Sequence, residues 1–134
     1  PPPVDLDAEL RNGDFTRMQI LARRARACHD LSEGGLAVAL AEMALAGGIG
    51  AEIAAPPGEI PLHAWLFGED QARYLIATKN PAAVLADAEA AGIPLAAIGS
   101  TGGEALTLPG TAPISLTALR EAHEGWLPGY MDGA

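Results

Sequence analysis

Residues 28–50 read CHDLSEGGLAVALAEMALAGGIG, and this stretch decides the fold. A polar turn, His29-Asp30-Leu31-Ser32-Glu33-Gly34-Gly35, opens directly into an apolar segment; across residues 36–45 the only charge is Glu42. A helix that is apolar nearly all round is buried on most of its faces, so its start occupies a fixed place on a packed scaffold. Unpaired N–H groups and the positive end of the dipole point out of such a start and suit an anion such as a phosphate. Gly34 and Gly35 carry no Cβ and give a ligand close access to the backbone. The competing reading is a tight strand-to-helix turn capped by Ser32 or Asp30, with no ligand.

Working outward, residues 25–30 read as a buried strand that feeds the turn, with Cys28 as a small core residue. A strand–turn–helix with polar residues at the turn is a common ligand-contacting unit of α/β folds. His29 and Asp30 are neighbours and point to opposite faces of a strand, so His29 reads as a hydrogen-bonding residue of the scaffold. Upstream, residues 5–11 predict a short helix capped by Asp5 and ended by Asn12-Gly13. Asp14 then caps a second helix, with Phe15, Met18, Leu21 and Ala22 inward and Arg17, Arg23 and Arg24 on other faces, solvated or against an acidic partner.

Downstream, Gly47-Gly48 ends the central helix, and Ile49, Ala51 and Ile53 alternate as a strand with one apolar face. Pro56-Pro57-Gly58 is a loop. Residues 62–67 predict a helical turn with Leu62, Trp65 and Leu66 inward. A second polar turn, residues 68–71, precedes a strand over 73–78. The carboxylate and amide groups of Glu69, Asp70 and Gln71 there suit a magnesium ion or a substrate hydrogen bond, or simply a solvated turn. Residues 81–91 predict a helix with Val84, Leu85 and Ala88 inward and Gly92 at its end. Residues 93–98 predict a strand, and 105–108 its antiparallel partner across Thr101-Gly102-Gly103. Ser115 caps a last helix holding Leu116, Leu119 and Trp126, stopped by Leu127-Pro128-Gly129. His63 and His123 read as surface histidines. The alternation of helices and strands predicts a layered α/β domain with a mixed sheet.

The composition narrows the function classes. The 134 residues carry 17 acidic and 8 basic side chains, a net charge of −9. Nucleic-acid binding needs a positive face and is excluded on that ground; the same charge opposes a free nucleotide unless magnesium or a neighbouring domain offsets it. One cysteine permits no internal disulfide. No signal-peptide pattern and no apolar run of membrane-spanning length is visible, so the expected setting is cytoplasmic, with no membrane partner. Pro1-Pro2-Pro3 reads as an extended lead-in over residues 1–4, and the chain as a single domain, 1–134, cut from a longer one.

Three strings together carry a family resemblance. His29-Asp30-Leu31-Ser32-Glu33-Gly34-Gly35-Leu36-Ala37-Val38-Ala39-Leu40-Ala41-Glu42-Met43 closely resembles the HD-x-S-D-G-G-L-A-V-A-L-A-E string of the phosphoribosylformylglycinamidine synthase large-subunit family. Pro1-Pro2-Pro3-Val4-Asp5-Leu6 with Asn12-Gly13-Asp14-Phe15 is similar to the same family. Leu66-Phe67-Gly68-Glu69-Asp70-Gln71-Ala72-Arg73 is similar to its L-F-G-E-S-Q-x-R. The likeness covers nearly the whole chain and points to the C-terminal domain of the enzyme, the last of four.

The resemblance implies the fold of the aminoimidazole-ribonucleotide synthetase C-terminal domain, layered α/β and partly ferredoxin-like. It implies a ligase of purine biosynthesis that uses ATP and Mg²⁺ to convert formylglycinamide ribonucleotide and glutamine-derived ammonia into the amidine. Upstream domains of the same polypeptide, a glutaminase and small accessory subunits are the implied partners. Catalytic histidines and most ATP and Mg²⁺ ligands of the family lie upstream, so no catalytic or metal residue is assigned to this chain. Asp30, Ser32, Glu33, Gly34 and Gly35 of the first turn, and Glu69 and Gln71 of the second, are the candidate nucleotide-contacting residues, as the wall of an auxiliary, non-catalytic site. Two departures matter: Glu33 stands where Asp is usual, a longer carboxylate that shifts any metal contact, and Asp70 stands where Ser is common, which weakens direct phosphate binding at that turn. A carboxylate about 4 Å from a phosphate costs roughly 1–4 kcal/mol per charge pair. Selenophosphate synthetase, thiamine-phosphate kinase and the hydrogenase maturation protein share the glycine turn and stand as alternatives, as does a non-catalytic interaction module.

Overall fold

The computed structural model describes residues 4–56 and 58–133; the Pro1-Pro2-Pro3 lead-in and Pro57 lie outside the described residues. In order, the elements are α1 (Leu6–Leu21), β1 (Ala25–Asp30), α2 (Gly35–Gly47), β2 (Ala51–Ile53), α3 (Leu62–Phe67), β3 (Tyr74–Thr78), α4 (Pro81–Ala91), β4 (Gly99–Thr101), β5 (Ala105–Thr107), β6 (Ile114–Ser115), α5 (Leu116–Glu124) and α6 (Trp126–Met131). β1 and β3 pair antiparallel as a two-stranded sheet, and a second sheet has the order β4-β2-β5-β6. That second sheet is mixed: β2 runs antiparallel to β4 and parallel to β5, and β5 antiparallel to β6. The architecture is therefore the layered, mixed-sheet α/β domain that the alternation implies.

α2 is the central element. Leu36, Ala37, Ala39, Leu40 and Ala44 are buried, and Leu36, Ala37, Ala39 and Leu40 form one core with Leu31, Ala51, Ile53, Trp65, Leu66, Leu106 and Leu108. Helix and sheet meet here through alanine and small aliphatic side chains. Gly48, at φ 60°, closes the helix with its N–H on Ala44 O, the left-handed stop that glycine supplies without strain.

Several elements depart from the sequence reading. α1 is one continuous helix through Asn12-Gly13; Asp5 does cap it, its carboxylate accepting from Ala8 N at 2.9 Å. Phe15 is half-buried as its spacing implies, but the fully buried positions of α1 are polar. Thr16 and Gln19 are its buried residues, whereas Met18 and Leu21 face solvent. Gln19 Nε2 donates to Asp87 of α4 at 3.1 Å, and Arg24 pairs with the same carboxylate. β1 is only partly covered, and Cys28 is half-buried rather than a core residue. Burial first, then the nearby Asp30 charge, pushes its thiol pKa up.

Leu62 is exposed, although Trp65 and Leu66 are buried. Residues 93–98 are not a strand: Pro94 lacks an N–H, and pairing with β2 begins only at Gly99. β4 and β5 form no hairpin, because β2 lies between them. α5 is capped by Ser115 Oγ on Ala118 N as expected, but Trp126 belongs to a separate helix that runs through Pro128 and Gly129. Pro128 sits in the first turn of α6, where a missing N–H costs no intrahelical bond.

Candidate functional site

The turn ahead of α2 begins where β1 ends. Leu31 N donates to Arg73 O at 2.9 Å, which extends the β1–β3 ladder to the last residue before the turn. Gly34, at φ 77°, is the N-cap of α2 and Gly35, at φ 62°, its first residue. Neither Ser32 nor Asp30 caps the helix through its side chain; Ser32 accepts from Gly35 N through its carbonyl, at 3.1 Å. The capping group comes from the second polar turn: Glu69 Oε1 accepts from Gly34 N at 2.9 Å. The two strings singled out in the sequence thus meet in one hydrogen bond, 35 residues apart. A carboxylate at a helix N-terminus is favoured by the dipole, and here it takes the amide of the N-cap residue.

Gly35 serves packing. A Cβ there would lie 2.7 Å from Gly68 O, 2.9 Å from Phe67 C and 3.0 Å from Leu66 O. The first residue of α2 therefore lies directly on the backbone at the end of α3, and the absent side chain makes room for protein rather than for a ligand.

The 68–72 turn is held from both ends. Arg73 donates to Gly68 O at 3.2 Å and to Trp65 O at 3.4 Å, so its guanidinium satisfies carbonyls at the C-terminus of α3, and it lies 3.5 Å from Asp70. At the other end Ala72 adopts φ 61°, a left-handed backbone for a residue with a Cβ. Both of its backbone groups are bound by α1: Ala72 N donates to Glu9 Oε2 at 2.8 Å, and Asn12 Nδ2 donates to Ala72 O at 2.9 Å. The second oxygen of Glu9 accepts from the Tyr74 hydroxyl at 2.6 Å. That bond, with burial and the Glu9 charge behind it, pushes the Tyr74 phenol up to about 12.

His29 lies beside this site. Its Nε2 is 3.0 Å from Glu42 Oε2 on α2, and its Nδ1 is 3.7 Å from the Asp30 carboxylate. Adjacency in the strand does not keep His29 and Asp30 apart, and Glu42, two turns into α2, is a partner that strand geometry could not reveal. Asp30, Ser32, Glu33, Glu69 and Gln71 are exposed, Gly34 half-buried and Gly35 buried. The structure brings Gly34, Gly35 and Glu69 into contact; Ser32 and Glu33 stand on the same turn, Gln71 on the partner turn, and Asp30 opposite Tyr74 in the ladder. With Asp30, Glu33, Glu69 and Asp70 on these two turns and Arg73 the one cation there, the surface repels anions. Among the described residues no group of three or more His, Cys, Asp or Glu is arranged to hold a metal ion.

A cavity of about 640 Å³ adjoins the 68–72 turn, lined by Asn12, Ala72, Arg73 and Tyr74 there and by residues that include Phe15, Leu40, Met43, Leu75 and Val84. None of the seven candidate residues lines it.

A strand–turn–helix whose strand pairs antiparallel with β3 and whose helix packs on the mixed sheet, with its glycine turn joined to a second polar turn, defines a class. The chain matches the family described as AIR synthase related protein, C-terminal domain, over residues 2–108, and belongs to it. Its curated relatives are more particular. It is 61% identical over 133 residues to "Phosphoribosylformylglycinamidine synthase subunit PurL" of Parvibaculum lavamentivorans, covering 98% of this chain and 18% of the relative. It is 57% identical over 136 residues to the subunit of the same name from Methylocella silvestris, covering 100% and 18%. The chain thus spans about 18% of the length of these relatives.

Solved structures agree on the fold. "T. maritima PurL complexed with FGAR" superposes with a TM-score of 0.72 at 17% identity, over 87% of this chain and 21% of that one. "Structure of PurLQS from Thermotoga maritima" gives 0.72 at 15%, over 87% and 22%. "T. maritima PurL complexed with ATP" gives 0.66 at 16%, over 81% and 21%.

Proposed function

We propose that this chain is the C-terminal, AIR-synthase-type domain of a phosphoribosylformylglycinamidine synthase large subunit, and that it serves there as a wall and not as a reaction centre. The observation that carries the reading is the 61% identity to such a subunit across 98% of the chain. The chemistry of that enzyme, phosphorylation of an amide oxygen by ATP with Mg²⁺ and displacement of the phosphate by ammonia, needs cations and positioned donors around phosphate. This chain offers carboxylates at the front of α2, with Glu69 already on the Gly34 amide. The phosphoryl chemistry therefore falls to upstream domains of the same polypeptide, with a glutaminase and small accessory subunits supplying ammonia, in the cytoplasm.

Within that assembly Gly34, Gly35 and Glu69 build the frame of the wall. Asp30, Ser32, Glu33 and Gln71 form its exposed rim, which meets an auxiliary nucleotide or the neighbouring domain. Apolar surface left uncovered here supports a neighbour: Leu6, Leu10 and Leu21 on α1 are 74%, 66% and 65% exposed, and Trp126 and Tyr130 on α6 stack on each other at 69% and 70%. The test compares this chain with the full-length protein that carries it, measuring ADP release dependent on formylglycinamide ribonucleotide and ammonia. Turnover by the full-length protein and none by the chain is expected. Turnover by the chain alone, or none by an intact full-length protein, would overturn the reading.

A further inference from the structure

We infer that Glu9 is a positioning residue for the front of α2: it holds the 68–72 turn in a backbone shape the turn would not keep alone, and so keeps Glu69 on the Gly34 amide. Ala72 is the weak point of that turn. Its φ of 61° is disfavoured for a residue with a Cβ, and such conformations persist where the surroundings over-determine them. The surroundings here are three side chains of α1 and β3. Glu9 takes the Ala72 N–H on one oxygen and the Tyr74 hydroxyl on the other, and Asn12 takes the Ala72 carbonyl. Gly13 leaves the room for this: a Cβ at that position would stand 3.2 Å from the Tyr74 hydroxyl oxygen.

With Arg73 fixing Gly68 O and Glu9 fixing Ala72 N, both ends of the turn are pinned and the direction of Glu69 follows. Loss of the Glu9 contacts lets Ala72 relax to a negative φ. The turn then swings, and the helix start loses its internal carboxylate. Helix α1 thereby decides whether the front of α2 is closed to anions. The consequence for nucleotide contact rests on the function proposed above; the clamp itself does not.

The experiment is amide NMR of the protein through an acid titration. The reporter is that part of the Gly34 amide displacement which disappears in Glu69→Gln. In Glu9→Ala it falls to about half or less, as for a contact populated less than half the time, and the Tyr74 phenol titration drops from about 12 toward the ordinary value. Asp5→Ala loosens the start of the same helix without touching the clamp and leaves the reporter unchanged. Ala72→Gly placed in Glu9→Ala restores it, because glycine adopts the left-handed shape unaided. A Gly34 reporter unchanged while the Tyr74 titration falls overturns the inference, as does a loss of equal size in Asp5→Ala. Should Glu9→Ala fail to fold, Tyr74→Phe removes one of the two Glu9 contacts; a smaller loss supports the inference and no loss overturns it. None of these readouts involves ATP or turnover, so failure of the proposed function and failure of this inference are separate results.

Discussion

Gly35 carries the closest packing of the site. An alanine there meets carbonyl oxygens and backbone carbon at 2.7–3.0 Å in a left-handed conformation. Backbone strain of roughly 1–2 kcal/mol adds to about 1–3 kcal/mol of overpacking. Gly35→Ala is accordingly expected to lower unfolding stability by about 2–5 kcal/mol, read by urea denaturation. The adjacent glycines announced a turn in the sequence, and the turn is there. What the sequence could not show is that the space above Gly35 belongs to the end of α3, or that the cap would be Glu69, a contact made only after the chain folds back.

Tyr74 titrates higher in the folded protein than in the unfolded chain, so the folded state holds its proton more tightly. The stability this supplies is fully present below about pH 10, the ordinary phenol value, and is lost as pH rises toward 12. Tyr74→Phe is expected to flatten that alkaline limb in thermal melts at pH 9 to about 12; an unchanged limb would reject the assignment.

At the level of the element, α1 is inverted. Its inward face uses Asn12, Thr16 and Gln19 and its flank uses Glu9, while Leu6, Leu10 and Leu21 face out. Hydrophobic periodicity places Met18 and Leu21 in the core, and the stop signal of Asn12-Gly13 reads as a helix end. The pattern fails because this helix docks through side-chain hydrogen bonds, and Gly13 is small to admit Tyr74. A coupled pair tests that. Gly13→Ala alone gives no stability gain, although alanine is favoured in a helix interior by about 1 kcal/mol. In Tyr74→Phe, where the obstructing oxygen is gone, the same change gains about 0.5–1 kcal/mol. Equal effects in both backgrounds, measured by denaturation, would show that the hydroxyl does not set the limit.

The sheets were partly legible for similar reasons. The alternation of Ala51 and Ile53 marked β2, and both residues are buried. Nothing local shows that β2 inserts between β4 and β5. Residues 93–98 and 105–108 with Thr101-Gly102-Gly103 between them look like a hairpin, because turn chemistry is read from neighbours in sequence whereas strand order is a property of the whole sheet.

At the level of the molecule, the exposed leucines on α1 and the Trp126–Tyr130 stack form apolar faces that the described residues do not cover. Leu6→Ser combined with Leu10→Ser is expected to change the stability of this chain by no more than about 0.5 kcal/mol per site, as for ordinary surface positions. The same pair in the full-length protein is expected to reduce turnover by weakening domain docking; full activity there would assign those leucines no interface. No helix among the described residues is long and apolar enough to cross a membrane. The central claim is that Glu69 closes the front of α2 and that the acidic rim leaves phosphate binding to other domains. Calorimetric titration of this chain with Mg-ADP tests it most directly. Mg-ADP is expected to bind no more tightly than about 1 mM, or −4 kcal/mol; a Kd below about 1 µM, or −8 kcal/mol, would show the front of α2 open to phosphate.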